Sequence, residues 1–284
     1  MSTEAAMSQP PPQASYLFDR KQADQERLIR SSEALGGFTT EACLRAGLGP
    51  GGRAIDIGCG PFGALPALAE LVGFEGRVAG LDASGEALAL ARAMLDQRGC
   101  TTVTLVQAEL DTVATTDLCP PGPFDLAYLR RFLVHQPDPA GSLRRIATLV
   151  RPGGRIVAHE IPPGAGYPAL TPPVRALQQV DELVHAGVKA RGGRYDAAHH
   201  FAALCRDAGV RLISQRGFVP AVEPLALLET FQAVLRSLRP VVITQGITTA
   251  REVDDLLGEL EDAKAAEYVS SFANLYIEMI AEVL

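Results

Sequence analysis

The chain has 284 residues, of which 47% are hydrophobic and 21% charged, with no Trp and a net charge of −7. That length supports one large α/β domain or a core domain with added helices. The acidic balance argues against a general nucleic-acid binder, which carries a basic face, and offers no attraction to anionic membrane.

No apolar run reaches about 18 residues, so no membrane span is expected. The start, MSTEAAMSQPPPQAS, is polar and proline-rich and lacks the apolar stretch of a signal peptide. Residues 1–15 are expected to be a disordered tail. Five scattered cysteines (43, 59, 100, 119 and 205) suggest neither a metal knuckle nor a redox pair and fit a cytoplasmic protein.

From Tyr16 the pattern turns helical. FDRKQADQERLIRSSEAL carries apolar residues at 18, 28, 29 and 35, which predicts an amphipathic helix followed by a second helix around Thr39–Ala46. Together, residues 16–48 are expected to form a helical cap, and GLGPGG at 47–52 a turn.

Short apolar runs then alternate with helical patterns. Strands are expected at 53–57, 77–82, 102–107, 124–129, 154–160, 210–219 and 274–283, and helices at 64–72, 85–98, 139–150 and 196–208. Such alternation implies right-handed crossovers and a doubly wound α/β sheet, mostly parallel, across residues 49–284. Two stretches interrupt it, about 161–195 and 221–270, and are read as lid insertions over a ligand site.

The most informative stretch is RAIDIGCGPFGALPALAE, residues 53–70. Glycines between a strand and a helix let the backbone approach a ligand at the carboxyl edge of a sheet. A phosphate loop needs Gly-Lys-Ser/Thr at the helix start, and GALP stands there instead. Gly58, Gly60 and Gly63 match the dinucleotide spacing, with Asp82 as its acid, so a nicotinamide-dependent oxidoreductase remains a reading on that criterion. Asp56, just before the glycines, suits a cofactor with a cationic amino group better than a pyrophosphate.

AIDIGCGPFG resembles the first motif of class I S-adenosylmethionine-dependent methyltransferases, GLDAS their second and LVQAEL their third. FDLAYLRRFLVHQPDP is similar to their fourth strand and following loop, and RRIATLVRPGGRIVAHE to their fifth strand and the helix before it. AALCRDAGVRLISQRGF resembles the sixth-strand region, and NLYIEMIAEVL would be an antiparallel seventh strand. The resemblance implies S-adenosylmethionine as cofactor, with S-adenosylhomocysteine as its product. On it, Asp82, with Ala83 beside it, would accept the ribose hydroxyls, Gly58, Cys59 and Gly60 would pass under the cofactor, and Asp56 would help fix its amino end. Glu109 would meet the adenine, flanked by Ala108 and Leu110. The backbone at Leu129 and Arg130, where the fourth strand ends, would meet the methionine portion, and Tyr16 and Phe18 are candidates to close over the cofactor. The family commonly has glycine where Phe62 stands, and we expect this ring to pack into the sheet–helix seam.

Two candidates for a catalytic base follow late strands: His135, in LVHQPDP, and Glu160, favoured over His159 because only one of the pair can face the cleft. The adjacent His199 and His200 face apart, and no metal site is expected. Arg130 and Arg131 are candidates to hold an anionic substrate. The expected activity is methyl transfer to a small, hydrophobic metabolite, similar to bacterial secondary-metabolite methyltransferases, with the acceptor atom open. The rival enzyme reading on the same fold is cyclisation or rearrangement without methylation. The expected partner is a small-molecule substrate, with no nucleic acid or membrane, and a homodimer is the candidate assembly.

Overall fold

Arg53–Ile57 is a strand because its residues alternate between two buried surfaces: Ala54 faces one side of a sheet, and Ile55 and Ile57 the other. The computed structural model describes residues 22–114, 116–118, 123–163 and 169–284. In chain order, helix α1 (Gln22–Arg45) precedes β1 (Arg53–Ile57), α2 (Leu65–Val72), β2 (Arg77–Asp82), α3 (Gly85–Gln97) and β3 (Val103–Gln107). Then come β4 (Phe124–Arg130), α4 (Pro139–Ala147), β5 (Val150–Glu160), β6 (Ala169–Thr171), α5 (Arg175–Ala190) and α6 (Phe201–Ala208). The chain closes with β7 (Val210–Phe218), α7 (Pro224–Thr244), α8 (Ala250–Ala263), β8 (Ser270–Phe272) and β9 (Tyr276–Val283).

Seven strands form one sheet in the order β3-β2-β1-β4-β5-β9-β7. The first five are parallel, and β9 runs antiparallel between β5 and β7. This is the predicted doubly wound sheet, including its antiparallel last strand. The strand order reverses between β1 and β4, and in open α/β sheets such a switch opens a crevice at the carboxyl ends of the strands. One face packs with Ile57, Leu81, Leu129, Ile156 and Phe201 in its core. The opposite face buries Leu65, Leu68, Leu95, Leu126 and Tyr128 together with Ala42 and Cys43 of α1. Among the described residues, no helix is long and apolar enough to cross a membrane.

Among the boundaries that differ from the sequence reading, two have a clear cause. The N-terminal cap is one helix from Gln22 to Arg45, not two, and it runs through Gly36 and Gly37. Leu35, Thr39, Ala42 and Cys43 make one continuous buried stripe at helical spacing, and that burial outweighs the cost of two glycines, about 1 kcal/mol each. The fifth strand begins at Val150 instead of 154. Pro152–Gly154 sit in an irregularity where the register with β4 shifts between Phe124 and Leu126.

The segments around 161–195 and 221–270 fold together. Helices α5, α7 and α8 share a core of their own, built on Leu177, Val180, Leu228, Leu235, Val253 and Leu256. Thr249 and Glu252 close a capping box at the start of α8, which fixes where that helix begins.

Candidate active site

Beyond β1 the backbone takes three left-handed turns, at Gly58, Gly60 and Gly63. Two of these glycines are required by close approach as well as by conformation. A Cβ on Gly58 would lie 2.7 Å from the Phe132 ring, and one on Gly63 would lie 2.3 Å from the Asp56 carboxylate. At Gly60, by contrast, a Cβ would meet nothing within 4 Å. The N–H groups of Gly58 and Cys59 both donate to the Leu81 carbonyl, at 2.8 and 3.1 Å, and so bind the turn to β2.

Asp82, at the end of β2, ties this turn to the next. One carboxylate oxygen accepts from Gly60 N–H and the other from Ser84 N–H, each at 2.8 Å. Ser84 is the N-cap of α3 and accepts from Ala87 N–H. Asp56 is 2% exposed and accepts from Ala64 N–H at 2.6 Å, serving α2 as a cap delivered from the neighbouring strand. Burial pushes its carboxyl up to about 7, against the Ala64 bond and the positive charge of Arg130, and Asp82 adds to the rise.

Phe62 is buried, lies outside the cavity lining, and carries the Arg98 guanidinium 4.8 Å above its ring. The ring therefore stays out of the cavity, as expected, and packs toward Arg98 at the end of α3.

A cavity of about 510 Å³ opens over this turn, within the size range of small-molecule and cofactor sites. It brings together Asp56, Gly58, Cys59, Gly60, Asp82 and Ala83 with Ala108, Glu109, Leu110 and Arg130. His135 lines it as well. Tyr16 and Phe18 lie outside the described residues. Of the two residues expected to offer backbone at the end of the fourth strand, Arg130 lines the cavity and Leu129 does not: β4 continues through Arg130, and the Leu129 side chain lies in the core.

Glu160, expected at the mouth of the cleft, faces away from it. It is fully buried, is absent from the cavity lining, and accepts from the backbone N–H groups of Phe132 and Leu133 at 2.8 and 2.7 Å. Its task is to hold the loop that leaves β4. Burial pushes its carboxyl up to about 8, against those two bonds and the charge of Arg131, and its second oxygen is buried without a partner. In that loop Arg131 holds φ +52°, a left-handed backbone for a non-glycine residue, and donates its N–H to the His159 carbonyl. His135 ends a short 3-10 turn, and burial, reinforced by Arg131 and Arg27, pushes its imidazole down to about 3.

The sequence did not point to Leu28, Ser31 and Ser32 of α1 as cavity wall. Their spacing marks one helical face, but two serines on that face look solvent-directed. Arg130 explains one of them: its Nη2 donates to Ser32 Oγ at 2.7 Å, while Nη1 is buried with no partner. The described residues of the two insertions contribute nothing to this wall. Nearby, Tyr128 OH lies 3.0 Å from both Thr39 Oγ1 and His159 Nδ1, and His159 Nε2 lies 3.3 Å from Glu278.

Residues 48–200 match the family model described as "Methyltransferase domain", which is more than half of the chain. Among curated proteins, the chain is 38% identical over 107 residues to the ubiquinone biosynthesis O-methyltransferase of Aeromonas salmonicida, covering 37% of this chain and 42% of that one. It is 40% identical over 111 residues to an uncharacterized 37.1 kDa protein in transposon TN4556 of Streptomyces fradiae, covering 39% and 30%. The chain thus spans less than half the length of these curated relatives. Among solved structures, a SAM dependent methyltransferase from Aquifex aeolicus has TM-score 0.51 at 18% identity, covering 70% of this chain and 92% of that one. The cyclase SpnF has TM-score 0.53 at 18% identity, covering 87% and 80%. At that identity the two structures share the fold.

The residues fit the cofactor of this family. Asp82 offers carboxylate lone pairs at the second strand end, Gly60 leaves its face clear, and a buried guanidinium nitrogen of Arg130 lacks an acceptor. Sheet order, glycine turn, strand-end acid and family match agree, and the chain belongs to the class I S-adenosylmethionine-dependent methyltransferases.

Proposed function

We propose that the protein transfers a methyl group from S-adenosylmethionine to a hydroxyl of a small, largely apolar organic molecule. The observation that carries this is one cavity lined both by the cofactor residues around Gly58, Asp82 and Glu109 and by the β4 exit loop with Arg131, Phe132, His135 and Gln136. Its volume suits a cofactor with a small acceptor. The net charge of −7 speaks against a nucleic-acid acceptor. The similarity to O-methyltransferases supports oxygen as the attacked atom.

When bound, S-adenosylmethionine supplies an electrophilic methyl group on sulfur. The protein's own contribution is alignment, water exclusion and control of one hydrogen bond. Asp82 and Glu109 would hold the ribose and adenine. Leu28 and Phe132 give the cavity apolar wall. His135 is uncharged at neutral pH because burial and two nearby guanidinium groups oppose a proton on it. It therefore orients the acceptor's hydroxyl as a hydrogen-bond partner and is a poor store for the released proton. Rate enhancement on this account rests mainly on positioning.

The test is mass spectrometry of reactions containing the purified chain, isotopically labelled S-adenosylmethionine and a panel of small hydrophobic phenols and alcohols. A product heavier by one labelled methyl group supports the assignment. A rearranged product of unchanged mass would replace it with cyclisation, and transfer only to amines would move the acceptor atom to nitrogen.

A further inference from the structure

The loop that leaves β4 divides its side chains among three places. Leu133–His135 is a 3-10 turn. At three residues per turn, successive side chains stand about 120° apart, and residues i and i+3 share a face. Phe132 and His135 accordingly both line the cavity, and Leu133 enters the core on one face of the sheet. Val134, 3% exposed, enters the separate core of α5, α7 and α8. On the cavity side, the Phe132 ring lies so near Gly58 that a Cβ there would come within 2.7 Å of it. On the far side, Gly193, just beyond α5, packs as closely. A Cβ on it would lie 2.6 Å from the Val134 carbonyl oxygen and 2.7 Å from the Val188 side chain. Gly193 is not among the residues with left-handed backbone, so room and not conformation demands glycine there.

We propose that this turn couples the cavity to the helical bundle: Val134 and Gly193 position Phe132 from behind, and a ligand seated over Gly58 and Phe132 steadies the bundle through the same residues. This rests on the assignment of the cavity to S-adenosylmethionine. The bundle then acts as a brace behind the cavity wall, a wall to which its described residues contribute nothing. Glu160 makes the coupling stiff. It pins the N–H groups of Phe132 and Leu133, so a push on Val134 is not absorbed by unwinding the turn and passes to Phe132. Binding that orders one end of such a packed unit lowers the cost of ordering the other. Helix α1 is a rival route, since it lines the cavity and meets α7 through Arg30 and Glu229. That ion pair is exposed, and exposed pairs couple weakly.

The experiment is amide hydrogen exchange of the full chain with and without saturating S-adenosylhomocysteine. It follows α5 amides that exchange faster than those of β1 and β4, because these report local opening and not unfolding of the whole chain. In the wild type the ligand should slow exchange at residues 58–63 and, through the turn, in α5 by about 3- to 10-fold. Val134→Ala shortens the side chain that enters the bundle and leaves the cavity wall unchanged. It should bind S-adenosylhomocysteine within about twofold of the wild type and keep the slowing at 58–63, but lose the slowing in α5. Gly193→Ala disturbs the same contact from the other side and carries the test if Val134→Ala does not fold. Two results would overturn the coupling while leaving the cofactor assignment intact. One is slowing at 58–63 of the wild type with none in α5. The other is undiminished slowing in α5 of the variant, which would give the route to α1. Failure of the wild-type chain to bind S-adenosylhomocysteine at all would overturn both.

Discussion

Glu160 supplies the sharpest contrast between what a strand-end acid suggests and what its surroundings require. The perturbation is a pair of variants, Glu160→Gln and Glu160→Ala. Gln keeps an oxygen for the N–H groups of Phe132 and Leu133, whereas Ala leaves both buried donors without a partner. At about 1–3 kcal/mol for each orphaned donor, Ala should cost roughly 2–6 kcal/mol and disorder the loop that carries Arg131 and His135. The Gln variant tests the charge. Because the folded-state value of about 8 stands above the ordinary 4.5, the native state binds the extra proton between those two values. Wild-type stability therefore falls as pH rises through this window and levels off above about 8. At about 1.4 kcal/mol per unit, the span amounts to an upper figure on the order of 5 kcal/mol. Urea unfolding from pH 5 to 9 reads it: Glu160→Gln should match the wild type at the acid end and exceed it at the alkaline end. The difference between the two proteins isolates this group from Asp56, whose raised value adds a slope of its own. Single-turnover methyl transfer by the same variant should stay within a few fold of wild type. A loss of about 10²-fold or more at saturating ligands, with stability unchanged across pH, would refute the positioning role and restore Glu160 as a base.

Three further outcomes follow from the cofactor end. Asp82→Ala removes the expected ribose acceptors together with the bridge between Gly60 and Ser84, and should weaken S-adenosylhomocysteine by about 1.5–3 kcal/mol in calorimetry; unchanged affinity would sink that role. An ammonium ligand needs Asp56 ionised, so affinity should decline about tenfold per pH unit below about 7 and lose that dependence in Asp56→Asn; parallel profiles would show the carboxyl is not involved. Gly63→Ala drives a methyl group into the Asp56 carboxylate at a left-handed backbone position, and should lower stability by more than 1 kcal/mol in urea unfolding while Gly60→Ala, whose face is clear, costs less.

The parts legible in the sequence are those whose cause is local. Short apolar runs at 53–57 and 77–82 give the strands, glycines between strand and helix mark the turn, and an acid at the end of the second strand marks Asp82 as a ligand-facing carboxylate. What escaped has causes far away in the chain. Alternation could say that only one of His159 and Glu160 faces the cleft, but not that the backbone of Phe132 and Leu133 would claim the carboxylate. The glycine pair at 36–37 reads as a break between helices, and only the continuous stripe from Leu35 to Cys43 against the sheet shows why none occurs. Ser32 reads as surface because its partner, Arg130, lies 98 residues on.

The last two of these share a location, the interface between α1 and the sheet. A helix held there by apolar contact alone could slide along its axis at little cost, since hydrophobic burial has no direction. α1 is held by a polar string instead. Ser32 meets Arg130, Thr39 meets Tyr128, and Arg45 Nη2 donates to both carboxylate oxygens of Glu278, at 2.5 and 2.6 Å. Beneath the helix, His159 joins Tyr128 to Glu278. Burial works against the charge on Glu278, but its bonds to His159 and Arg45 hold its carboxyl down at about 2, so it is ionised at neutral pH. His159 Nε2 then donates to that carboxylate, which leaves Nδ1 to accept from Tyr128, and Tyr128 in turn accepts from Thr39. Every member has one role, and a one-residue slip of α1 would strand several buried polar groups together. The string therefore fixes the register of the helix, the register fixes Ser32, and Ser32 fixes the direction in which Arg130 offers its remaining N–H to the cavity.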